Sequence, residues 1–265
     1  MVRTLLGLAV VLLLSITSST QAYAQRALVI QDVAPWGSSA VFTELTNQGV
    51  PYDTVGTASI GAVNVNNYTM IFVMECQGNA LYNAWNANLA MYDVWVQAGG
   101  FLAIHACHES CGGFGNAVMP RPPGGVPTST LELYNNGNTV LPGHPLMFLV
   151  PPAPFGNYFG HDSFPNTGEV TDVVLNRSAI SGNPSYFVRP RGFGEVAMGG
   201  VTYSYGYDNA QAAGQILTNE ISYALGFGVN PCGAADADAD GVGDLCDVCP
   251  GFNDAVDFDA DTIPD

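Results

Sequence analysis

The sequence contains no lysine, and its six basic residues are all arginines. Against these stand 23 acidic residues, which give a formal net charge of −17 at pH 7. A surface this acidic repels nucleic acids and anionic lipids, and it attracts cations. The composition therefore excludes nucleic-acid binding as a function and makes a cation an expected partner.

Long apolar runs are also absent beyond residue 24, where no stretch reaches the roughly 20 residues of a membrane helix. The first 24 residues differ, because Arg3 precedes a leucine- and valine-rich run that ends at Ala22-Tyr23-Ala24. A basic start, an apolar run and a small-x-small end are typical of a signal peptide. We therefore expect residues 1–24 to be removed. The mature chain, without a membrane span, would be secreted, displayed at the cell surface or held in the periplasm.

The mature sequence falls into two parts, of which the first covers residues 26–228. It alternates short apolar runs, such as "ALVIQD", "YTMIFVME" and "FLAIHA", with segments of helical periodicity, such as "NALYNAWNANLAMYDVWVQAGG". This order predicts an α/β domain with an open parallel sheet of five to seven strands. About sixty residues after Cys107 are dense in proline, glycine and asparagine, and for them we expect irregular structure.

The second part, residues 231–265, has almost no core-forming side chains but carries ten aspartates. Counted from Asp236, carboxylates stand at positions one, three, five, nine and twelve, with glycine at six and a backbone carbonyl at seven. This is the spacing of an EF-hand-type calcium loop, and a less complete copy follows it. The predicted Ca²⁺ ligands are Asp236, Asp238, Asp240, Val242, Asp244 and Asp247 in the first loop, and Asp254, Asp257, Asp259, Asp261 and Asp265 in the second.

The interleaved pattern "DxDxDGxGDxCDxCP", followed by "DxxDxDxDxxxD", closely resembles a thrombospondin type-3 repeat over residues 232–265. The resemblance implies that the aspartates wrap calcium ions and that disulfides link successive repeats. It further implies a bond between Cys232 and Cys246, and a partner for Cys249 just beyond Asp265. We therefore expect a small irregular module held by calcium and disulfides, in a polypeptide that was originally longer.

Residues 104–113, "IHACHESCGG", collect side chains that serve as nucleophiles, bases and metal ligands. The catalytic candidates are His105, Cys107, His108 and Glu109, with Cys107 as the nucleophile. A metal site would instead combine His105, His108 and Glu109 with His144 or His161 from the later loop. Glu109 and Asp162 would form a carboxylate pair suited to sugar chemistry.

Oxidation is the interpretation that an exported chain favours for the same cysteines. Cys107 would pair with Cys76, at the end of a neighbouring strand, or with Cys111, and either pairing leaves one thiol over. A disulfide at Cys107 would exclude thiol catalysis, because a cystine is not a nucleophile.

The segments "GGFLAIHA", "GHPL" and "GEVAMGGVTYSYG", the last taken as a late strand before a closing helix, are similar to the class I glutamine-amidotransferase-like fold. More narrowly, they resemble ThuA-like domains. The resemblance implies a flavodoxin-like three-layer sandwich with a mostly parallel sheet, and a site at the carboxyl ends of the strands. The nucleophile elbow of that fold needs small residues on both sides of the cysteine, where this chain has His105 and Glu109. The pair Cys107-His108 resembles another branch of the superfamily.

Two functions are consistent with these features. We favour an exported calcium-binding protein whose α/β domain is a non-catalytic binding or structural module on a calcium-stiffened connector. Its partner would be an extracellular glycan or protein. The alternative is a secreted hydrolase-like or carbohydrate-active enzyme with its site at the strand ends between His105 and Glu109.

Overall fold

The structure is a computed structural model that describes residues 25–107 and 118–226. The predicted signal peptide, both predicted calcium loops with their three cysteines, and His108, Glu109 and Cys111 lie outside the described residues. Within them, no helix is long and apolar enough to cross a membrane.

The described residues form nine strands and five α-helices. The strands are β1 (Ala27–Ile30), β2 (Tyr52–Val55), β3 (Met70–Val73), β4 (Phe101–His105), β5 (Thr128–Thr139), β6 (Phe155–Asn166), β7 (Val173–Ser178), β8 (Pro184–Arg191) and β9 (Gly194–Gly199). The helices are α1 (Ala40–Asn47), α2 (Asn79–Ala87), α3 (Leu89–Gln97), α4 (Tyr203–Asp208) and α5 (Ala212–Ala224).

All nine strands belong to one sheet, in the order β2-β1-β3-β4-β9-β8-β7-β5-β6. Pairing is parallel from β2 through β9 and antiparallel from β9 through β6. The predicted α/β class and the three apolar strands β1, β3 and β4 are confirmed, and these strands are buried throughout. The expectation of a mostly parallel sheet is correct only for the half of the sheet that runs from β2 to β9.

Helices cover both faces of the parallel half, because alternate strand residues point to opposite sides. Ala27 and Val29 of β1 pack on the face that carries α1 and α5, while Leu28 and Ile30 face the side covered by α2 and α3. Two apolar layers therefore sandwich the sheet. The carboxyl ends of its parallel strands meet at a single edge, which we call the carboxyl edge.

Three sequence predictions about elements are wrong in detail. The segment after Cys107 is not irregular throughout, because it contains the 12-residue strands β5 and β6. The long predicted helix divides into α2 and α3 at Asn88, whose φ of −110° and ψ of 12° are not helical. The predicted late strand ends at Gly199, and the residues "YSYGYD" form α4 instead.

Strand β6 crosses the end of β9 at the carboxyl edge. The backbone N–H of His161 donates to the carbonyl of Gly200 at 3.0 Å, and Gly160 bridges to Val201. A Cβ on Gly200 would collide with the carbonyl oxygen of Asp162, so only glycine permits this close approach. The crossing places β6 over the strand ends, where the resemblance locates a site.

Candidate functional site

His105, the last residue of β4, lies at the centre of a buried cluster of ionisable groups. Its Nδ1 is 2.9 Å from Oε2 of Glu75, and its Nε2 is 2.7 Å from Oε2 of Glu220 on α5. All three side chains are fully buried. We call this set the buried triad.

Burial by itself would lower the pKa of His105, but the carboxylates of Glu220 and Glu75 outweigh it and raise that pKa to about 9. Burial would likewise raise the pKa of Glu75, yet the His105 charge and hydrogen bond lower it. The triad therefore consists of an imidazolium between carboxylates. Such a buried ion cluster stabilises the fold only while all three side chains are present, because the removal of one leaves a buried charge without compensation.

Second partners hold the remaining oxygens of the buried triad. The backbone N–H of Ser204 donates to Oε1 of Glu75 at 2.8 Å, and the Tyr186 hydroxyl donates to Oε1 of Glu220 at 3.0 Å. The Tyr203 ring stacks on the imidazole with centroids 3.7 Å apart. Both ring nitrogens of His105 are occupied and the ring is covered, so His105 is placed to hold the core together and not to bind a substrate or a metal.

The Cys107 side chain is also buried, two residues beyond the buried triad. Burial raises the pKa of the Cys107 thiol well above its usual range, and the carboxylates of Asp162 and Glu75 raise it further. Cys76 is disulfide-bonded, whereas Cys107 keeps its thiol and is not part of a disulfide. Both predicted disulfides that include Cys107 are therefore wrong. The thiolate that nucleophilic catalysis needs is disfavoured at this position.

An open cleft of about 400 Å³ lies at the carboxyl edge, next to these buried groups. Its described lining comes from the loop after β1, from β5 and β6, and from the segment after β9. The lining residues are Trp36, Leu133, Asn157, Tyr158, His161, Thr202 and Tyr205. Three of the seven are aromatic, and we call this space the aromatic cleft.

Two of the aromatic walls have a backbone conformation that side chains other than glycine rarely adopt. Trp36 has a φ of 48° and Tyr158 a φ of 51°. Their rings meet the imidazole of His161 edge-on, with centroids 6.0 and 5.8 Å away. Left-handed residues cost about 1–3 kcal/mol each and persist where the surrounding structure enforces them, often at ligand sites.

Polar contacts enforce the unusual backbone of Tyr158. Its N–H donates to Oδ1 of Asn135 at 2.9 Å, and its carbonyl accepts from the Thr202 hydroxyl at 2.8 Å. The neighbouring Asn157 donates through Nδ2 to the Tyr205 hydroxyl at 3.2 Å. Hydrogen bonds to Asn135, Thr202 and Tyr205 therefore hold this wall of the cleft in place.

The structure does not bring the predicted histidine ligands together. His105 belongs to the buried triad, and His161 lines the aromatic cleft. His144 instead begins a 3-10 turn, where its Nδ1 accepts from the backbone N–H of Leu146 at 3.3 Å. In the part of the chain that the structure describes, no group of three or more histidine, cysteine, aspartate or glutamate residues could hold a metal ion.

Sequence reasoning did not single out Trp36, Tyr158 or Tyr205. The one available signal was Trp36-Gly37 placed a few residues after a buried strand, where loops at the carboxyl edge bind ligands. Glu75 and Glu220 were also missed, because they lie 30 and 115 residues from His105 along the chain.

No family model matches the sequence. An uncharacterized protein of Clostridium acetobutylicum is 23% identical over 212 residues, which make up 78% of this chain and 21% of that protein. The chain thus spans about a fifth of the length of the curated relative it matches.

Several solved structures are similar in fold. A cytoplasmic protein of Salmonella typhimurium matches with a TM-score of 0.53 at 12% identity, covering 75% of this chain and 98% of its own. A second cytoplasmic protein of that organism matches with a TM-score of 0.54 at 10% identity, covering 76% and 99%. A protein from Bacteroides uniformis described as ThuA-like covers 77% and 92% at 11% identity, with a TM-score of 0.49. The likeness to the two Salmonella proteins shows a shared α/β fold and nothing about function.

Proposed function

We propose that the α/β domain is a non-catalytic binding module of an exported, calcium-binding protein, and that the aromatic cleft is its ligand site. The domain would be amidotransferase-like, in the ThuA-like manner that its sequence resembles. The observation that carries the proposal is the pair Trp36 and Tyr158, two partly exposed aromatic rings that are held in left-handed backbone and both meet His161 edge-on. Rigid aromatic walls around a few polar groups at the carboxyl edge are typical of ligand sites.

The surroundings of Cys107 support binding over catalysis. A nucleophilic cysteine needs a lowered pKa and access to substrate, whereas the Cys107 thiol has a raised pKa and is covered by β6. His105 has both nitrogens engaged by carboxylates and so lacks the lone pair of a general base. Of the four predicted catalytic candidates, the two that the structure describes are thus poorly suited to chemistry.

Replacing Trp36 with alanine is expected to weaken ligand binding about 10- to 100-fold, because the cleft loses its largest exposed ring. The full chain with calcium would be screened against an array of extracellular glycans and against purified matrix proteins, followed by titration calorimetry on each ligand found. The control is Phe193→Ala, which removes a ring that is 56% exposed, against 37% for Trp36, and lies outside the described lining of the aromatic cleft. Equal affinity in W36A and wild type would contradict the proposal, and so would recovery of the ligand as a reaction product.

The aspartate-rich segment is proposed to bind calcium through the eleven ligands named above and to be linked by Cys232–Cys246. That cross-link would contribute about 3 kcal/mol to the module. At about 1 mM calcium, a site of the extracellular type would contribute roughly 0.4–1.4 kcal/mol.

Chelation with EDTA is expected to unfold the aspartate-rich segment and leave the α/β domain intact. Calorimetry should show one calcium-dependent transition and one that is independent of calcium, and the variant Asp240→Asn should shift only the first. A titration with millimolar calcium that shows no binding, or an α/β transition that moves with EDTA, would argue against this assignment.

A further inference from the structure

A second cavity, of about 420 Å³, adjoins the aromatic cleft. Leu133, Asn157 and Tyr158 line both spaces, so these three side chains form a shared partition. The remaining described lining of the second cavity is Tyr134, Asn135, Asn136, Ala179 and Ile180. The two cavities together make one groove across the β5–β6 pair, which we call the hairpin groove.

The described lining of the hairpin groove carries no arginine, aspartate or glutamate side chain. In a chain with a net charge of −17, an uncharged strip of this size is unusual. A site for a carboxylate or phosphate ligand typically contains an arginine that binds the anion through two N–H groups. A cationic ligand would call for carboxylates. The described lining, in which His161 is the basic group, therefore favours an uncharged ligand.

Amides and hydroxyls supply the polar groups of the groove. Asn135, Asn136 and Asn157 contribute three side-chain amides, and Thr202 and Tyr205 contribute hydroxyls. Each of these groups both donates and accepts hydrogen bonds, as sugar hydroxyls also do. The polar part of the lining thus matches a ligand that is rich in hydroxyl groups.

Apolar side chains offer the complementary surface. Tyr158 is 49% exposed, Ile180 is 70% exposed and Trp36 is 37% exposed, although all three line a cavity. Exposed flat rings and aliphatic groups in a groove cover the C–H faces of a ligand. A sugar ring presents both surfaces at once, because its C–H faces are apolar while its rim carries hydroxyls.

We infer that the hairpin groove binds a neutral oligosaccharide, with one sugar ring in the aromatic cleft and a following ring in the second cavity. The inference rests on the proposed binding function and names the ligand class of that site. Tyr158, in the partition, contacts both rings. The ligand must be at least two rings long to fill both cavities.

An extended peptide is the competing occupant, and it would be recognised mainly through main-chain hydrogen bonds. Main-chain groups along the groove are already engaged. The N–H and the carbonyl of Tyr158 bond to Asn135 and Thr202, and the carbonyl of Asn136 accepts from the N–H of Ala179 at 3.1 Å. Asn135 and Asn157 each use one amide atom within the protein, so Nδ2 of Asn135, Oδ1 of Asn157 and the Asn136 amide are the side-chain groups that can face a ligand beside the rings, which favours the sugar.

The test is titration calorimetry of the full chain with cello-, malto-, xylo- and manno-oligosaccharides of one to six rings. For at least one series, the affinity should rise about tenfold or more between one ring and three, and then level off. The double variant Asn136→Ala/Ile180→Ala should remove this gain for longer chains and leave binding of the single sugar unchanged. Trp36→Ala should weaken binding at every length, and Phe193→Ala should change nothing. Thermal melts of each variant confirm folding.

The possible failures separate the two proposals. If a charged glycan, a peptide or a protein binds in a Trp36-dependent manner while no neutral oligosaccharide does, the inference is overturned and the binding function stands. If affinity does not depend on chain length or on the double variant, the second cavity is not a subsite. If no ligand of any class binds in a Trp36-dependent manner, both proposals are wrong.

Discussion

Replacing His105 with alanine is expected to lower the free energy of unfolding by about 3–5 kcal/mol at pH 7. The change removes the cation between Glu75 and Glu220, and both carboxylates stay fully buried. Each would keep a donor, from Ser204 and Tyr186, but the two negative charges would share a cavity without compensation. The loss of a buried ion's partner costs more than the loss of its contacts. Urea denaturation followed by circular dichroism measures the difference.

A triple variant provides the control for the His105 prediction. In Glu75→Gln/His105→Gln/Glu220→Gln all three charges are removed and side chains that can hydrogen bond are retained, so most of the stability should return. If H105A loses less than about 1 kcal/mol, the triad is not an ion cluster. The milder Glu220→Gln keeps the measurement possible if H105A does not fold.

The same comparison has a pH dependence of predictable sign. The pKa of His105 is raised in the fold from 6.5 to about 9, so the folded state binds this proton more tightly than the unfolded state. The stabilisation is fully present below pH 6.5 and is lost as the pH rises through about 9. Burial also raises the pKa of Glu195 from 4.5 to about 7. As the pH rises from 4.5 through about 7, this shift lowers the stability of wild type and variant alike. The difference between them should therefore shrink above pH 6.5, and it should also shrink in acid, where protonation of Glu75 removes the stabilisation that His105 gives that carboxylate.

Replacing Arg189 with methionine is expected to cost a similar amount, about 3–5 kcal/mol. The guanidinium is fully buried, and it pairs with Asp172 through Nε at 2.7 Å and through Nη2 at 2.9 Å. It also donates to the carbonyls of Pro123, Gly125 and Thr167 at 2.7 to 2.8 Å. One side chain thus connects β8 to the segments on both sides of the β5–β6 pair. Its removal leaves a buried carboxylate and three carbonyls without their donor.

Arg189→Lys tests whether the charge or the planar fork matters. Lysine keeps the positive charge but cannot make the two-pronged contact with Asp172 together with three carbonyl bonds, so it should recover little of the loss. The variant Arg189→Met/Asp172→Asn removes the unpaired carboxylate and should recover part of it. Hydrogen exchange should speed up first at residues 120–128 and 165–172. Full recovery by lysine would show that charge alone is responsible.

The parallel half of the sheet could be predicted because its strands are continuous apolar runs. Strands such as "MIFV" of β3 are buried on both faces, and such runs have few other uses in a soluble domain. Strands β5 and β6 could not be predicted, since β5 is largely exposed and rich in threonine and asparagine, while in β6 glycine, asparagine and proline interrupt the aromatic residues. Their pairing depends on contacts such as Gly160 beside Tyr134, which local propensity does not encode.

The sequence predicted where the candidate site lies, but not which residues form it or what roles they have. His105 and Cys107 do lie at the carboxyl edge, where parallel strands place their ends. Their roles depend on Glu75, Glu220 and the crossing of β6, which come together only in the fold. The two described members of the motif, His105 and Cys107, are therefore buried, and the proposed ligand site lies beside them.

The central claim, that the aromatic cleft binds a neutral sugar ligand, is tested most directly by a tryptophan fluorescence titration. The sequence has three tryptophans, and Trp36 is 37% exposed in the cleft while Trp85 and Trp95 are at most 6% exposed. Titration of the full chain with the neutral oligosaccharides should produce a saturable blue shift in wild type and none in Trp36→Phe. No saturable change in wild type, or an equal change in Trp36→Phe, would contradict the claim.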